Sequence, residues 1–156
     1  MTVENDDKAA ARHLAGLAHR VAYDPPEREP WREFVQRISR GRFGRPQPWQ
    51  DTDCWERRGW RTRAADLNGQ PAFSVDYRVC RRCGLGWVEW PDTLRPYRRC
   101  GLASAGLTEL RAKYPDLAWH TLGGHIGDSA AFWDAIGADV PGGYRQREPC
   151  PHVTRG

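Results

Sequence analysis

Apolar residues near the start of the chain recur with the period of an α-helix. The pattern predicts one helix over residues 7–23, with an acidic residue near its start, and a second helix that Pro30 begins after a Pro-Pro break. The apolar faces are Leu14, Leu17 and Val21 in the first helix, and Trp31, Phe34, Val35 and Ile38 in the second. We expect both faces to pack in the core rather than to bind a ligand.

The middle of the chain has the residue pattern of β-strands. We predict strands over residues 57–67, 71–80 and 84–90. Asn68-Gly69, between the first two, favours a tight hairpin because both residues tolerate the positive φ that such a turn requires. The preceding segment, 41–53, contains two prolines and is predicted to be a loop.

Farther along, helix and strand patterns alternate. A helix is predicted over residues 104–113, a strand over 116–122 and another helix over 128–137. In that last helix the apolar face is formed by Phe132, Trp133 and Ile136, and Gly137 is a natural end. A short β-hairpin is predicted around Pro141-Gly142-Gly143.

The segment 96–103 has the features of an anion-binding turn. Gly101 permits a turn that presents consecutive backbone N–H groups, and the helix that follows adds the positive end of its dipole. Arg98 and Arg99 add cationic donors beside it. The alternative is that an arginine-rich chain produces such a cluster by chance.

Two motifs in this half resemble the GCN5-related N-acetyltransferase (GNAT) superfamily: Arg98-x-x-Gly101-x-Ala103, similar to its Arg/Gln-x-x-Gly-x-Gly/Ala signature, and Phe132-Trp133 with Gly137, similar to the end of its fourth helix. The resemblance covers residues 72–149. It implies an α+β fold, with a mixed, mostly antiparallel, splayed sheet flanked by helices. We expect one domain, 1–156, in which 1–50 is a divergent helical part and 54–156 is GNAT-like.

The resemblance also implies acetyl-CoA as co-substrate and an amine as acceptor. The residues that would bind acetyl-CoA are Arg98, Arg99, Cys100, Gly101, Leu102, Ala103 and Trp133. Trp133 departs from the family, which has a tyrosine there to protonate the departing thiolate, and an indole is no practical acid. A second departure is the absence of a convincing first strand within residues 1–50.

Acyl transfer also needs a base and a donor for the developing oxyanion. By resemblance the donor is a backbone N–H near residues 87–90, where Glu89 is the candidate general base. His120 and His125 are the other candidate bases, because an unperturbed imidazole titrates near neutral pH. The alternatives are a solvated strand residue for Glu89 and structural hydrogen-bonding roles for the histidines.

Cys80-x-x-Cys83-Gly84 has the form of a zinc knuckle, which needs two further ligands. In a GNAT-like topology the final strand, 144–149, runs opposite to the strand at 84–90, so Cys54, Cys150 and His152 reach the same end of the sheet. The predicted structural zinc site is Cys54, Cys80, Cys83 and Cys150, with His152 as the substitute for a cysteine. Reduced buried thiols and a redox pair are the alternatives, and Cys100 remains at the cofactor end.

The composition narrows the classes of function only slightly. The net charge of +4 comes almost entirely from arginine and is interleaved with acidic residues, so it does not by itself imply nucleic acid. No stretch has the pattern of a signal peptide or a membrane span, and we expect a cytoplasmic protein without a membrane partner.

These observations lead to two hypotheses. The first is an acetyl-CoA-dependent N-acyltransferase with a structural zinc and an unidentified amine acceptor. The second is a non-catalytic, zinc-stabilised GNAT-like module that recognises protein or nucleic acid. The replacement of tyrosine by Trp133 weakens the first hypothesis without deciding for the second.

Overall fold

A computed structural model describes residues 2–23, 47–54, 56–123, 125 and 128–154. The elements in chain order are α1 (Thr2–Gly16), β1 (Val21–Tyr23), β2 (Trp49–Asp53), β3 (Arg61–Leu67), β4 (Gln70–Cys80), β5 (Leu85–Thr93), a 3₁₀ turn (Arg95–Tyr97), α2 (Leu102–Lys113), β6 (Ala118–Thr121), α3 (Asp128–Gly137), β7 (Arg145–Gln146) and α4 (Pro151–Thr154). The second predicted N-terminal helix lies outside the described residues.

The seven strands form one sheet in which spatial order follows chain order. Strands β2 to β5 are an antiparallel meander, whereas β1 pairs with β2, β6 with β5, and β7 with β6 in parallel. This mixed sheet flanked by helices agrees with the α+β prediction. Parallel and antiparallel pairings are equal in number, so the prediction of a mostly antiparallel sheet is not confirmed.

The hairpin between β3 and β4 is confirmed. Asn68 and Gly69 both have positive φ, 53° and 79°, as a type I′ turn requires. The helices at 102–113 and 128–137 and the strand at 118–121 also lie where the sequence predicts them. None of the helices in the described part of the chain has the length and apolar character needed to cross a bilayer.

The N-terminal predictions are partly wrong. The first helix ends at Gly16 rather than at residue 23, and Val21–Tyr23 is a strand parallel to β2. Trp49–Asp53, predicted as loop, is β2. The usual strand signal is missing there because β2 and β3 turn charged residues inward.

Those inward charges form one buried network. The Asp51 carboxylate is fully buried and accepts hydrogen bonds from Arg61 Nε and Arg63 Nη2, both at 2.8 Å, and from the Tyr77 hydroxyl. Arg61 also donates to Asp53 at 2.8 Å. The pKa of Tyr77 is strongly raised, by burial and then by the neighbouring Asp51 charge, so its hydroxyl remains a donor.

The main core lies between the sheet and helices α1 and α2. Its largest fully buried side chains include Trp49, Phe73, Tyr77, Leu107, Leu110 and Trp119. Trp49 donates its indole N–H to the Leu14 carbonyl at 2.9 Å, which joins β2 to α1. Helix α2 approaches the sheet closely because Gly106 has no side chain: a Cβ there would lie 2.7 Å from Phe73 and 2.9 Å from Trp49.

The last strand runs in the opposite direction to the one predicted. Backbone bonds from Trp119 N to Pro141 O and from Tyr144 N to Trp119 O bring the 141–144 turn alongside β6, and β7 then continues parallel to it. The predicted hairpin around 141–143 is therefore a turn without a hairpin. The chain reverses only after Gln146, where the Arg147 carbonyl accepts from the Trp87 indole N–H at 2.9 Å.

The close contact at Gly106 gives a stability prediction. Gly106→Val should lower the free energy of unfolding by about 1–3 kcal/mol, because the added carbons overpack Trp49 and Phe73. Urea denaturation measures this. Gly16→Val is the matched control, since a Cβ at Gly16 meets nothing within 4 Å, and we expect a change within about 0.5 kcal/mol. Equal losses in the two variants would contradict the packing explanation.

Candidate functional site

A mainly apolar cleft lies where two parallel strands separate. β5 pairs with β6 only from Leu85 to Val88, opposite Ala118 to Thr121, although β5 continues to Thr93. Beyond Val88 a cleft of about 610 Å³ opens between them. It is lined by Val88, Glu89, Trp90, Pro91, Asp92, Thr93, Arg98, Ala103, Thr121, Gly123, Ser129, Phe132 and Trp133.

A bulge in β5 accompanies this separation. Asp76 pairs with Glu89 and Ser74 with Asp92, so Trp90 and Pro91 together face the single residue Val75. Trp90 adopts a positive φ of 51°, and its side chain is 64% exposed. A bulge leaves its extra residue outside the ladder and turns the strand, so β5 bends away from the end of β6.

The predicted anion-binding turn borders the cleft. Arg99 and Gly101 have positive φ, 62° and 85°, and α2 starts at the next residue, Leu102. Arg98 and Ala103 line the cleft, and Arg98 Nε donates to the Thr93 carbonyl at 3.0 Å. A Cβ at Gly101 would meet only Ala15, at 4.0 Å, so the space beside this turn is open.

The remaining members of the turn contribute backbone rather than side chains. Leu102 is 1% exposed and belongs to the core, and Cys100 is buried, with its thiol 3.4 Å from the Arg98 carbonyl oxygen. The first helical bond joins Ala105 N to the Gly101 carbonyl at 2.9 Å. The backbone N–H groups that precede Ala105 in the first turn of α2 therefore have no acceptor within the helix. Such unpaired N–H groups are the usual basis of anion binding at a helix N-terminus.

Trp133 forms an aromatic wall of the cleft. It is 5% exposed and packs against Phe132 and Tyr144, with ring centroids 5.1 Å and 5.0 Å away. The His125 ring also stacks on Trp133, with ring centroids 5.6 Å apart and an interplanar angle of 16°. This packing fixes the orientation of the indole.

Glu89, the predicted base, lines the cleft but is ion-paired with Arg57. The Arg57 guanidinium also lies 4.0 Å from the Trp60 ring and 4.9 Å from the Trp90 ring. Two indoles thus contact the cation that pairs with this carboxylate. Sequence reasoning missed Arg57 and Trp60, and nothing in the sequence singles them out, because the contact forms across the sheet.

The two histidines differ in position. His120 is buried outside the cleft lining, its Nδ1 lies 3.1 Å from the Arg145 carbonyl oxygen, and burial lowers its pKa. Because a carbonyl only accepts, His120 Nδ1 carries the proton. A structural hydrogen-bonding role, the alternative to a base, fits this environment.

His125 lies closer to the cleft. Its Nε2 is 2.6 Å from Thr121 Oγ1, and that hydroxyl donates to the Tyr144 carbonyl at 3.0 Å. Thr121 has one proton to give, so His125 Nε2–H is the donor in their contact. Thr121 is one of the residues that line the cleft, so His125 contacts the cleft lining directly.

A second cluster lies at the other end of β5. One ligand atom from each of Cys80, Cys83, Cys150 and His152 lies within 4.8 Å of all the others. Cys80 ends β4, Cys83 lies in the turn before β5, and α4 with its preceding residue brings the other two. His152 Nδ1 is 3.1 Å from Cys83 Sγ and 3.9 Å from Cys80 Sγ. A Cys₃His set of this kind can hold a metal ion such as zinc.

The thiols influence one another's ionisation. Burial raises the pKa of Cys150, but hydrogen bonds from His152, the Val153 amide and the two other cysteines lower it to about 6. The pKa of Cys83 is raised to about 11, by desolvation and by its contacts with Cys150 and Cys80. One thiol therefore ionises first and opposes ionisation of its neighbour, and a bound cation would relieve that repulsion.

Of the predicted ligands, Cys54 is not part of this cluster. Its thiol is instead 3.8 Å from Asp76 Oδ2, and it packs in a small apolar cluster with Trp60, Leu85, Trp87 and Val153. The substitute, His152, takes the fourth place. The predicted convergence of Cys150 with Cys80 and Cys83 is confirmed, although the strand direction used to predict it is wrong.

No protein-family model matches this chain. A comparison with curated proteins likewise gives no significant match. The GNAT resemblance therefore stays a prediction from the motifs.

Three of the five cysteines belong to the four-ligand cluster and two do not, which gives a test of the metal site. Cys80→Ser, Cys83→Ser and Cys150→Ser should each lower the bound metal of the purified protein, measured by plasma mass spectrometry, and should destabilise the fold. Cys54→Ser and Cys100→Ser are the matched controls and should keep one metal ion per chain, because neither thiol belongs to the four-ligand cluster. Loss of metal in Cys54→Ser equal to that in Cys83→Ser would contradict this assignment.

Proposed function

We propose that the protein is an acetyl-CoA-dependent N-acyltransferase with a structural zinc. The observation that supports this most is the meeting of two features: the cleft between the diverging strands β5 and β6, and the turn of Arg98 to Ala103 at the start of α2. A pyrophosphate suits the free amides and arginines of the turn. An uncharged thioester arm suits the mainly apolar cleft.

The cofactor would enter the cleft from the α2 end. Its pyrophosphate would bind the amides of residues 98–103, aided by the Arg98 guanidinium, and its thioester would lie between the β5 bulge and Trp133. The cleft volume of about 610 Å³ is sufficient for such an extended arm. Binding in this manner depends on the backbone of Gly101, where a side chain would face the phosphates.

Acyl transfer needs a neutral amine, which attacks the thioester carbonyl, so that a C–N bond forms and the C–S bond breaks. The Trp90 amide at the bulge is our candidate donor to the developing oxyanion. Glu89 is our candidate base, because it is a carboxylate that lines the cleft, where it contacts Arg57. His125, which contacts Thr121 of the cleft lining, is the second candidate.

Trp133 cannot return a proton to the thiolate, so water or His125 must do so. Because Trp133 replaces the tyrosine expected at this position, a second hypothesis stands beside the first: a GNAT-like scaffold that binds protein or nucleic acid without turnover. Steeply salt-dependent binding to generic DNA or RNA, without acetyl-CoA binding, would favour that hypothesis.

The proposed zinc has a structural role because four protein ligands fill a tetrahedral shell. It would join the turn between β4 and β5 to the segment that follows β7. The same segment supplies the Arg147 carbonyl that accepts from Trp87. Structural zinc contributes about 10 kcal/mol or more to small domains, so removal of the metal should loosen the sheet at this end.

A charge placed at Gly101 tests the acyltransferase proposal. Gly101→Asp should abolish acetyl-CoA binding measured by calorimetry on the metal-loaded protein, because its carboxylate would face the pyrophosphate. Gly69→Asp is the matched control: Gly69 also has a positive φ, 79°, and open space around it, but lies in the β3–β4 hairpin. We expect the control to bind as the unmodified protein does. Absence of acetyl-CoA binding in the unmodified protein would overturn the proposal.

A further inference from the structure

A second cavity of about 700 Å³ lies beside the cleft. It is lined by Thr52, Asp53, Cys54, Glu56, Thr62, Ser74, Asp76, Trp90, Pro91 and Asp92. Three of these residues, Trp90, Pro91 and Asp92, also line the cleft. The β5 bulge is therefore the wall between the two spaces, and a molecule in one lies beside the contents of the other.

The lining of this cavity is acidic, in a chain whose net charge is +4. Among the described residues that line it there are four carboxylates and no arginine, lysine or histidine. Asp53 is paired with Arg61 at 2.8 Å. Glu56, Asp76 and Asp92 make no ion pair with any residue that the structure describes, and Asp76 accepts a hydrogen bond from Thr62 at 2.7 Å.

The wall of the cavity already holds a cation. The guanidinium of Arg57 lies 4.9 Å from the Trp90 ring and is paired with Glu89, while 64% of the Trp90 side chain is exposed. An indole and a carboxylate at the boundary thus bind a positive group from the chain itself. The exposed part of the indole is available to a second cation.

No three of these carboxylates lie close enough together to form a metal cluster. Among the described residues, the only acidic, cysteine or histidine side chains that bring three or more ligand atoms within 4.8 Å of one another are the Cys₃His set. Negative groups spread along the walls of a cavity suit a ligand whose positive charges are also spread out. An extended polyamine has that property.

From these contacts we infer that the acceptor is an aliphatic polyamine, which binds with its distal ammonium groups in the acidic cavity and its reacting amine at the Trp90 wall. This inference rests on the proposed function for its chemistry. The neutral amine attacks the thioester carbon, a C–N bond forms, the C–S bond breaks, and the proton lost by nitrogen balances the one gained by the thiolate. The acetylated product has one positive charge fewer than the polyamine, so it binds the acidic cavity more weakly.

Spermidine and butylamine are the probes, because both present a primary amine but only spermidine has further charges. Calorimetry on the intact, metal-loaded protein without acetyl-CoA should show spermidine binding at least about tenfold more tightly than butylamine. This comparison needs no variant, so it stands even if a variant fails to fold. Equal affinities for the two amines would overturn the inference.

The double substitution Asp76→Asn, Asp92→Asn should weaken spermidine binding by about tenfold or more. The matched control, Glu4→Gln with Asp6→Asn, removes the same charge from exposed positions on α1 and should leave affinity unchanged. Circular dichroism checks the fold of each variant. Equal spermidine affinity in the two double variants would contradict the assignment of the cavity.

The two proposals can fail separately. If acetyl-CoA binds and spermidine does not, the polyamine inference is wrong and the acyltransferase proposal stands. If spermidine binds with the expected dependence on Asp76 and Asp92 but acetyl-CoA does not, the cavity binds polyamines and the acyltransferase proposal is wrong. Mass spectrometry of a mixture containing both ligands should show monoacetylated spermidine, and its absence would overturn the acceptor role.

Discussion

The separation of β5 from β6 is the constraint on which the candidate site depends. Parallel strands need a crossover, here supplied by α2, and the crossover begins where β5 ends. Since the bulge at Trp90 and Pro91 turns β5 away after Val88, the sheet opens beside the start of that helix. One local irregularity thereby forms the cleft, exposes an indole, and brings the anion-binding turn to the cleft edge.

The antiparallel half of the sheet has a different character. Asp51 is buried with two arginines and a tyrosine, so the face that would normally be apolar carries a hydrogen-bonded charge network. Desolvating such charges is costly, and removal of one member leaves the others unpaired. The network fixes the register of β2 against β3 and β4, because Asp51 of β2 binds two arginines of β3 and a tyrosine of β4.

Local signals in the sequence predict local structure well in this chain. Asn68-Gly69 specifies its turn through backbone preference alone, and the Arg98 to Ala103 turn is followed by the helix that its glycine indicates. The strand β2 could not be predicted, because burial of Asp51 depends on arginines that follow in β3. The direction of β7 depends on backbone bonds to Trp119, which no residue pattern encodes.

The same distinction holds for the candidate site. The Cys80–Cys83 spacing identified half of the metal cluster, and the choice between Cys54 and His152 depended on where the chain turns after β7. Arg57 was not predictable because its partner Glu89 is 32 residues away. The role of a residue whose partner is so distant along the chain can be inferred only from the folded structure.

The span of the metal cluster has a consequence for the order of folding. Cys83 and His152 are 69 residues apart, and α2, β6, α3 and β7 all lie between them. The hairpins from β2 to β5 need only short-range contacts and can form early, whereas the ligand set is complete only after both crossovers have docked. Binding of a metal ion by all four ligands would thus be a late event, after the chain has formed the topology that brings them together.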